Sequence, residues 1–290
     1  MNGLLTLTDL TTEKMLDLID LALEMKKGLK ISYPDKKMAT LFFENSTRTH
    51  YSFISAMHQL DIKVVDVNTA CSSIQKGETL YDTVRTLEAL GMDGVVIRHP
   101  QDQYFKALEK IKIPIFNGGD GKSHHPTQSL LDLMTIYEEF GHFEGLRCCI
   151  IGDIAHSRVA HTNIEVMKRL NMEVFISGPK EFDDGCAPFI PFEEALLTSD
   201  VVMLLRIQFE RHEKKMNLSK EEYHQAFGLT EQNVSKMKEN AIILHPAPVN
   251  RGIEIADAVV ECAKSRIYRQ MENGVWIRMA VLSRGLEGKL

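Results

Sequence analysis

Short apolar runs rich in β-branched residues alternate with longer amphipathic segments along the whole 290-residue chain, and this alternation restricts the fold more than any other feature. The runs fall at residues 38–43, 63–67, 94–98 and 113–116, then at 147–152, 173–177, 201–205 and 241–244. Between them, apolar residues recur at helical spacing over 12–30, 47–60, 79–90, 127–140, 157–170 and 255–263, and again over 274–286. Strands that alternate with helices in this way imply parallel sheets buried on both faces. The expected fold is therefore α/β, with two domains, each a mostly parallel sheet with helices on both faces. The break falls at the segment 127–140 and the turn that follows it. It gives one domain of residues 1–134, with the C-terminal helix 274–290 packing back on it, and a second of residues 135–273. The charged stretch 210–222 fits either a loop with a short helix or a solvated helix.

Composition excludes several function classes. The formal net charge is -6 and no Lys/Arg run dominates, which argues against a nucleic-acid-binding face. No uncharged run is long enough to cross a bilayer, and Asp9, Glu13, Asp17 and Asp20 interrupt the first apolar residues, so a cytoplasmic protein is expected. The five cysteines are odd in number and contain no C-x-x-C pair, which suggests reduced thiols rather than a disulfide framework or a zinc knuckle. His156 and His161 are five apart, off a common helix face, and no H-E-x-x-H is present, so no metal is expected.

In parallel sheets the C-terminal strand ends face the ligand crevice, and here they are unusually polar. The first run leads into Ser46-Thr47-Arg48-Thr49 at a helix start. Two interpretations fit: an anion site built from unsatisfied N–H groups, the helix dipole, hydroxyls and a guanidinium, or an ordinary N-cap at Asn45 or Ser46. The third run delivers Arg98. The fourth leads to Asn117-Gly118-Gly119-Asp120-Gly121, then His125, with Gln128 three residues on and on the same helix face. Arg98 can equally be a surface arginine and Gly119-Asp120-Gly121 only a turn. In the second half, Arg158 and Arg206 follow different strand ends and suit a pair of carboxylates, although salt bridges to Asp153 and Glu210 would also account for them. His245-Pro246-Ala247-Pro248 leaves backbone carbonyls outside any helix, and Ala247–Pro248 is expected to be cis. The polar segment 72–79 has the makings of a lid carrying Lys76, though a surface lysine beside a glycine is commonplace.

Taken in order along the chain, Ser46-Thr47-Arg48-Thr49, Lys76-Gly77-Glu78-Thr79, Arg98-His99-Pro100, His125-Pro126-Thr127-Gln128, Arg206-Ile207-Gln208 with Arg211, and His245-Pro246-Ala247-Pro248 make the sequence resemble the aspartate carbamoyltransferase family, catalytic chains, over nearly its whole length. The resemblance implies a carbamoyl-phosphate domain followed by an aspartate domain, transfer of a carbamoyl group to L-aspartate in pyrimidine biosynthesis, no cofactor or metal, and a homotrimer with sites shared between subunits. It further implies that Ser46, Thr47, Arg48, Thr49 and Arg98 hold phosphate, that Thr49, Arg98 and His125 polarise the carbonyl, and that Gln128 with the carbonyls of Pro246 and Ala247 holds the carbamoyl amide. Arg158, Arg206 and Gln208 would bind aspartate. Ser72 and Lys76 would come from a neighbouring subunit, with Lys76 also touching aspartate.

Two competitors are disfavoured. Ornithine carbamoyltransferases typically show His-Cys-Leu-Pro and Ser-Met-Gly segments, absent here, and an arginine pair would repel ornithine's ammonium. A catalytically silent scaffold protein would have lost site residues that this chain retains. The chain also departs from the family pattern. His50 stands where a basic residue usually follows Ser-Thr-Arg-Thr, Ala155 replaces a common lysine, His161 a common arginine and Gly118 an alanine.

Overall fold

The structure, a computed structural model, describes residues 3–69, 76–121, 123–207 and 218–290. The chain divides into two compact units, Met1–Met134 with Met271–Leu290, and Thr135–Gln270. Helices α4 (Pro126–Phe140) and α9 (Ile267–Leu286) each run across the division.

The first unit holds strands β1 (Lys37–Phe42), β2 (Lys63–Val67), β3 (Gly94–His99) and β4 (Ile115–Asp120), all parallel, in the order β2-β1-β3-β4. Helices α1 (Thr12–Lys26), α2 (Thr47–Gln59) and α3 (Leu80–Ala89) belong to the same unit. Side-chain period 2 sorts the sheet residues. Ala39, Leu41, Val95, Ile97 and Ile115 pack with Val84 and Leu87 of α3 and with Tyr104, Phe105 and Leu108 of a short 3-10 helix. Alternate residues Met38, Val96 and Phe116 lie on the opposite face, where the Phe116 ring abuts Gly285 of α9 so closely that an added Cβ would sit 2.4 Å from it. The N-terminal segment runs beside edge strand β4: the Asn117 N–H donates to the Leu4 carbonyl (2.8 Å) and its side-chain amide to that of Leu5 (2.8 Å).

The second unit repeats the plan with β5 (Arg147–Ile151), β6 (Glu173–Ser177), β7 (Val201–Leu204) and β8 (Ile242–Leu244), again all parallel, in the order β6-β5-β7-β8. Its helices are α5 (Arg158–Arg169), α6 (Phe192–Thr198), α7 (Lys220–Phe227) and α8 (Glu231–Val234). Strands β5 and β7 are fully buried apart from Arg147, as their unbroken apolar runs require. Among the described residues, no helix is long and apolar enough to cross a membrane.

Most differences from the sequence expectation lie in the connections. Residues 255–263 do not form a helix. Only Asp257–Val259 makes a 3-10 turn, because Ile255 bridges Leu229 and Arg251 in strand fashion and the Ala256 N–H donates to the Leu229 carbonyl at 3.0 Å. The helical spacing arose because Ile255, Val259 and Val260 are all buried. Strand β4 starts at Ile115 and continues through Asp120, past the end expected at residue 116, because the Gly118-Gly119 pair is taken into the sheet. The C-terminal helix begins at Ile267 rather than at 274, and α6 and α8 are too short to have shown a period. The Ala247–Pro248 peptide is cis.

Candidate functional site

Both sheets reverse direction at a single place. From β1 the chain crosses through α2 to β2 on one side, while β3 lies on the other; β5 stands in the same relation to β6 and β7. Loops leaving two strands on either side of such a switch point diverge and open a crevice at the strands' carboxyl ends. In the first unit, Ser46–Thr49 at the start of α2 follow one of these strands and Arg98 lies in the last pleat of the other. In the second, the loops carry Asp153–Arg158 and Arg206.

In the first unit, Ser46 is the N-cap residue of α2, with extended backbone (φ -152°, ψ 98°), yet its side chain makes no capping hydrogen bond. Helix α1, by contrast, is capped by the Thr11 hydroxyl and α3 by that of Thr79. A helix start that leaves its N–H groups to a ligand offers an anion both donors and the positive dipole end. Thr47 and Arg48 are exposed, whereas Thr49 turns inward to lie 3.4 Å from Nε2 of buried His125. Arg98 pairs in register with Phe42 on β1, and its carbonyl accepts from the Phe43 N–H (2.9 Å), which places it beside the start of α2. Its guanidinium donates from Nε to Glu44 (3.1 Å) and from Nη1 to the Gly118 carbonyl (3.2 Å). Burial pulls the Arg98 pKa down while Glu44 opposes the shift, and the group remains a cation at neutral pH.

His125 and Gln128 are placed by the β4–α4 connection, which buried Asp120 braces. Its carboxylate accepts from the Gln103 N–H (2.8 Å), the Asn117 amide (3.0 Å) and the His124 N–H (3.0 Å). The segment Gly119-Asp120-Gly121 is thus more than a turn. Gly121 has φ +38°, and a Cβ there would meet Asp102 Oδ1 at 2.0 Å. In the first turn of α4, Gln128 donates its amide N–H to Asp132 at 2.9 Å. With Nε2 so engaged, Gln128 presents its carbonyl oxygen as the group that can accept from a ligand amide.

His50 faces the strands. Its Nε2 lies 2.8 Å from Asp66 Oδ1 and 3.3 Å from the Thr40 hydroxyl, which itself donates to Asp66 at 2.6 Å, and its ring stacks on Phe42 at 4.3 Å. It ties α2 to β1 and β2.

In the second unit, the Ser157 hydroxyl caps α5 by accepting from the Ala160 N–H (3.2 Å), which sets Arg158 at the helix's first position, half-buried. Asp153 takes His156, Nδ1 to Oδ1, at 2.8 Å. Arg206 follows β7 and donates from Nε to Asn250 Oδ1 (3.4 Å), while the Asn250 amide donates to the Ile207 carbonyl (2.8 Å). Asn250 is held in turn by Glu254, whose Oε1 accepts from the Asn250 N–H (2.5 Å) and lies 3.1 Å from His245 Nε2. Because His245 Nδ1 accepts from the Ala247 N–H (2.8 Å), the ring proton sits on Nε2 and is donated to Glu254. One relay therefore connects the Pro246-Ala247 backbone to Arg206. His245 and Glu254 are both about 1% exposed. Sequence reasoning named His245 and missed Asn250 and Glu254. The available signal was a single acid between two isoleucines, Ile253-Glu254-Ile255.

Ser46, Thr47, Arg48, Thr49, Arg98, His125 and Gln128 all belong to the first unit, with Thr49 against His125 and Arg98 against Glu44 just ahead of α2. Lys76 belongs to the same unit and is exposed. Arg158, Arg206, Pro246 and Ala247 belong to the second unit. Ser72, Gln208 and Arg211 lie outside the described residues.

Two family models match the chain: the aspartate/ornithine carbamoyltransferase carbamoyl-P binding domain over residues 2–138, and the Asp/Orn binding domain over residues 144–284. The chain is 49% identical over 298 positions to an aspartate carbamoyltransferase catalytic subunit of Streptococcus pyogenes, covering 100% of this chain and 96% of that one. A counterpart from Staphylococcus carnosus is 47% identical over 292 positions, covering 100% and 97%. Among solved structures, aspartate transcarbamoylase from Trypanosoma cruzi in complex with carbamoyl phosphate and aspartate superposes with a TM-score of 0.87 at 29% identity, covering 97% of this chain and 95% of that one. The order of motifs, the paired parallel sheets and these full-length matches agree, and the chain belongs to the aspartate/ornithine carbamoyltransferase family.

Proposed function

We propose that this chain is the catalytic subunit of an aspartate carbamoyltransferase, moving the carbamoyl group of carbamoyl phosphate onto the amine of L-aspartate to give N-carbamoyl-L-aspartate and phosphate, a step of pyrimidine biosynthesis in the cytoplasm. The observation that carries this reading is the α2 N-terminus, where Ser46 makes no side-chain cap and Thr49 lies 3.4 Å from His125 beside Arg98. The full-length relatives from Streptococcus pyogenes and Staphylococcus carnosus, both named for aspartate, support the choice of acceptor.

The neutral α-amine attacks the carbamoyl carbon. A C–N bond forms, the C–O bond to phosphate breaks, and the surplus amine proton passes to the departing phosphate or to water. Negative charge grows first on the carbonyl oxygen and then on phosphate. Ser46, Thr47, Arg48, Thr49 and Arg98 hold the phosphate, while Thr49, Arg98 and His125 are the donors for the carbonyl oxygen. Donors aimed in advance at oxygens that gain charge lower the barrier without reorganising. Gln128 Oε1 and the carbonyls of Pro246 and Ala247 accept from the carbamoyl NH2. Arg158, Arg206 and Gln208 bind the aspartate carboxylates. Holding two mutually repelling anions in reacting geometry supplies a large share of the acceleration. Every one of these roles is filled by protein groups, so neither a cofactor nor a metal enters the scheme.

The assembly we propose is a homotrimer in which Ser72 and Lys76 of one subunit complete a neighbour's site, with Lys76 reaching its aspartate; larger complexes with regulatory chains or another pathway enzyme are compatible with it. Steady-state turnover with carbamoyl phosphate and either L-aspartate or L-ornithine tests the reaction. Carbamoyl aspartate is the expected product, and a folded sample inactive with aspartate, or faster with ornithine, overturns the proposal. Hybrids of Lys76→Ala and Arg48→Ala subunits test the shared site: activity should return in the mixture, and its failure to do so refutes the sharing.

A further inference from the structure

His161, which stands where the family commonly has arginine, has no part in the proposed reaction, and its surroundings give it another. It lies one turn into α5, with Nε2 2.6 Å from Asp184 Oδ2, and Asp184 also holds the Cys186 thiol. One ligand atom from each of these three residues falls within 4.8 Å of the others. We propose that His161, Asp184 and Cys186 form a binding site for a divalent transition metal of the zinc class.

The donor set carries the assignment. Imidazole, thiolate and carboxylate together suit zinc and its neighbours, whereas calcium and magnesium take oxygen ligands. The positions are largely built. Asp184 and Cys186 sit in a tight loop where the Gly185 N–H donates to Asp183 (2.9 Å) and the Cys186 N–H to Asp184 Oδ1 (3.1 Å), while the Lys168 ammonium holds the Cys186 carbonyl (2.8 Å). In a tetrahedral site with metal–ligand bonds of about 2.0–2.3 Å, donor atoms stand about 3.5 Å apart, within the 4.8 Å that spans the three donor atoms here. His161 and Cys186 are half-buried and Asp184 is exposed, which leaves an entry path and a fourth position for water.

Without metal the thiol keeps its proton, since burial and the neighbouring Asp184 carboxylate push its pKa up to about 12. On binding, a metal–sulfur bond forms and that proton passes to solvent. The metal then bridges α5 to the loop that follows the 3-10 turn Lys180–Phe182. That turn already accepts from the Ala155 N–H through the Phe182 carbonyl at 3.1 Å. The bridge stiffens α5 and requires no change in the carbamoyl-transfer chemistry.

Cobalt(II) titration of the chelator-treated full-length protein tests the site, with zinc competition and thermal unfolding alongside. One equivalent of cobalt should bind with a thiolate-to-metal charge-transfer band, and zinc should displace it and raise the unfolding midpoint. Cys186→Ser should abolish the band and the shift. His161→Arg, which can still pair with Asp184 and so preserves the loop, should weaken binding by more than about 100-fold, beyond the loss typical of an outer-shell change. Cys262→Ser should behave as the parent. No charge-transfer band in the parent overturns the proposal, as does a band that survives Cys186→Ser or an affinity that His161→Arg leaves intact.

Discussion

The two units share one strand order, yet they hold their arginines differently. In the first, Arg98 is fixed by near neighbours at the strand ends: Glu44 just past β1 and the Gly118 carbonyl on β4. In the second, Arg206 is oriented through Asn250, Glu254 and His245, side chains on the irregular segment after β8. A short, charge-assisted arrangement tolerates change nearby. A relay of buried hydrogen bonds does not, because losing one member leaves the others without partners in a low dielectric.

The sharpest break in this comparison should come from Arg48→Ala, on the first unit's exposed helix start. We expect kcat to fall by about 10²–10³-fold, the loss typical of removing one donor to developing charge. The unfolding midpoint should not move, and unchanged kinetics would remove Arg48 from the site. Next, Arg206→Ala should lower kcat/KM for aspartate by about 10- to 100-fold, the equivalent of a charged hydrogen bond of about 1.5–3 kcal/mol, with little effect on saturation by carbamoyl phosphate. Equal losses for both substrates would contradict the division of labour. Glu254→Ala should destabilise the protein by about 1–3 kcal/mol in urea denaturation and raise KM for aspartate, since it strands the Asn250 N–H and His245 Nε2. An effect on stability alone would make the relay purely structural. The smallest effect should follow His50→Ala: about 0.5–1.5 kcal/mol from a partly exposed hydrogen bond to Asp66, with turnover preserved. A large loss of activity would return His50 to the phosphate site.

The same contrast explains what was legible. Residues 47–60, 94–98 and 147–152 announced their structure because burial on both strand faces, or on one helical stripe, imposes a period on the chain itself. The loop at 255–263 misled, because Ile255, Val259 and Val260 bury themselves at helical spacing while Leu229 claims the backbone hydrogen bonds. Glu254 carried little signal, since a buried acid looks like any other acid until its partners are known. His161 was legible as an exception and no more, because Asp184 and Cys186 lie more than twenty residues on.

By itself the sequence determined the parallel α/β class, the division into two units and the strand-end polar clusters, since hydrophobic period and local turn chemistry act over short stretches of chain. Only the tertiary structure decided which strands neighbour one another, and therefore that β1 with β3 and β5 with β7 form the two switch points. It alone turned His50 toward Asp66, tied Arg206 to Glu254 through Asn250, and brought Cys186 to His161. These are contacts between groups distant in sequence, and no local propensity encodes the geometry in which they meet.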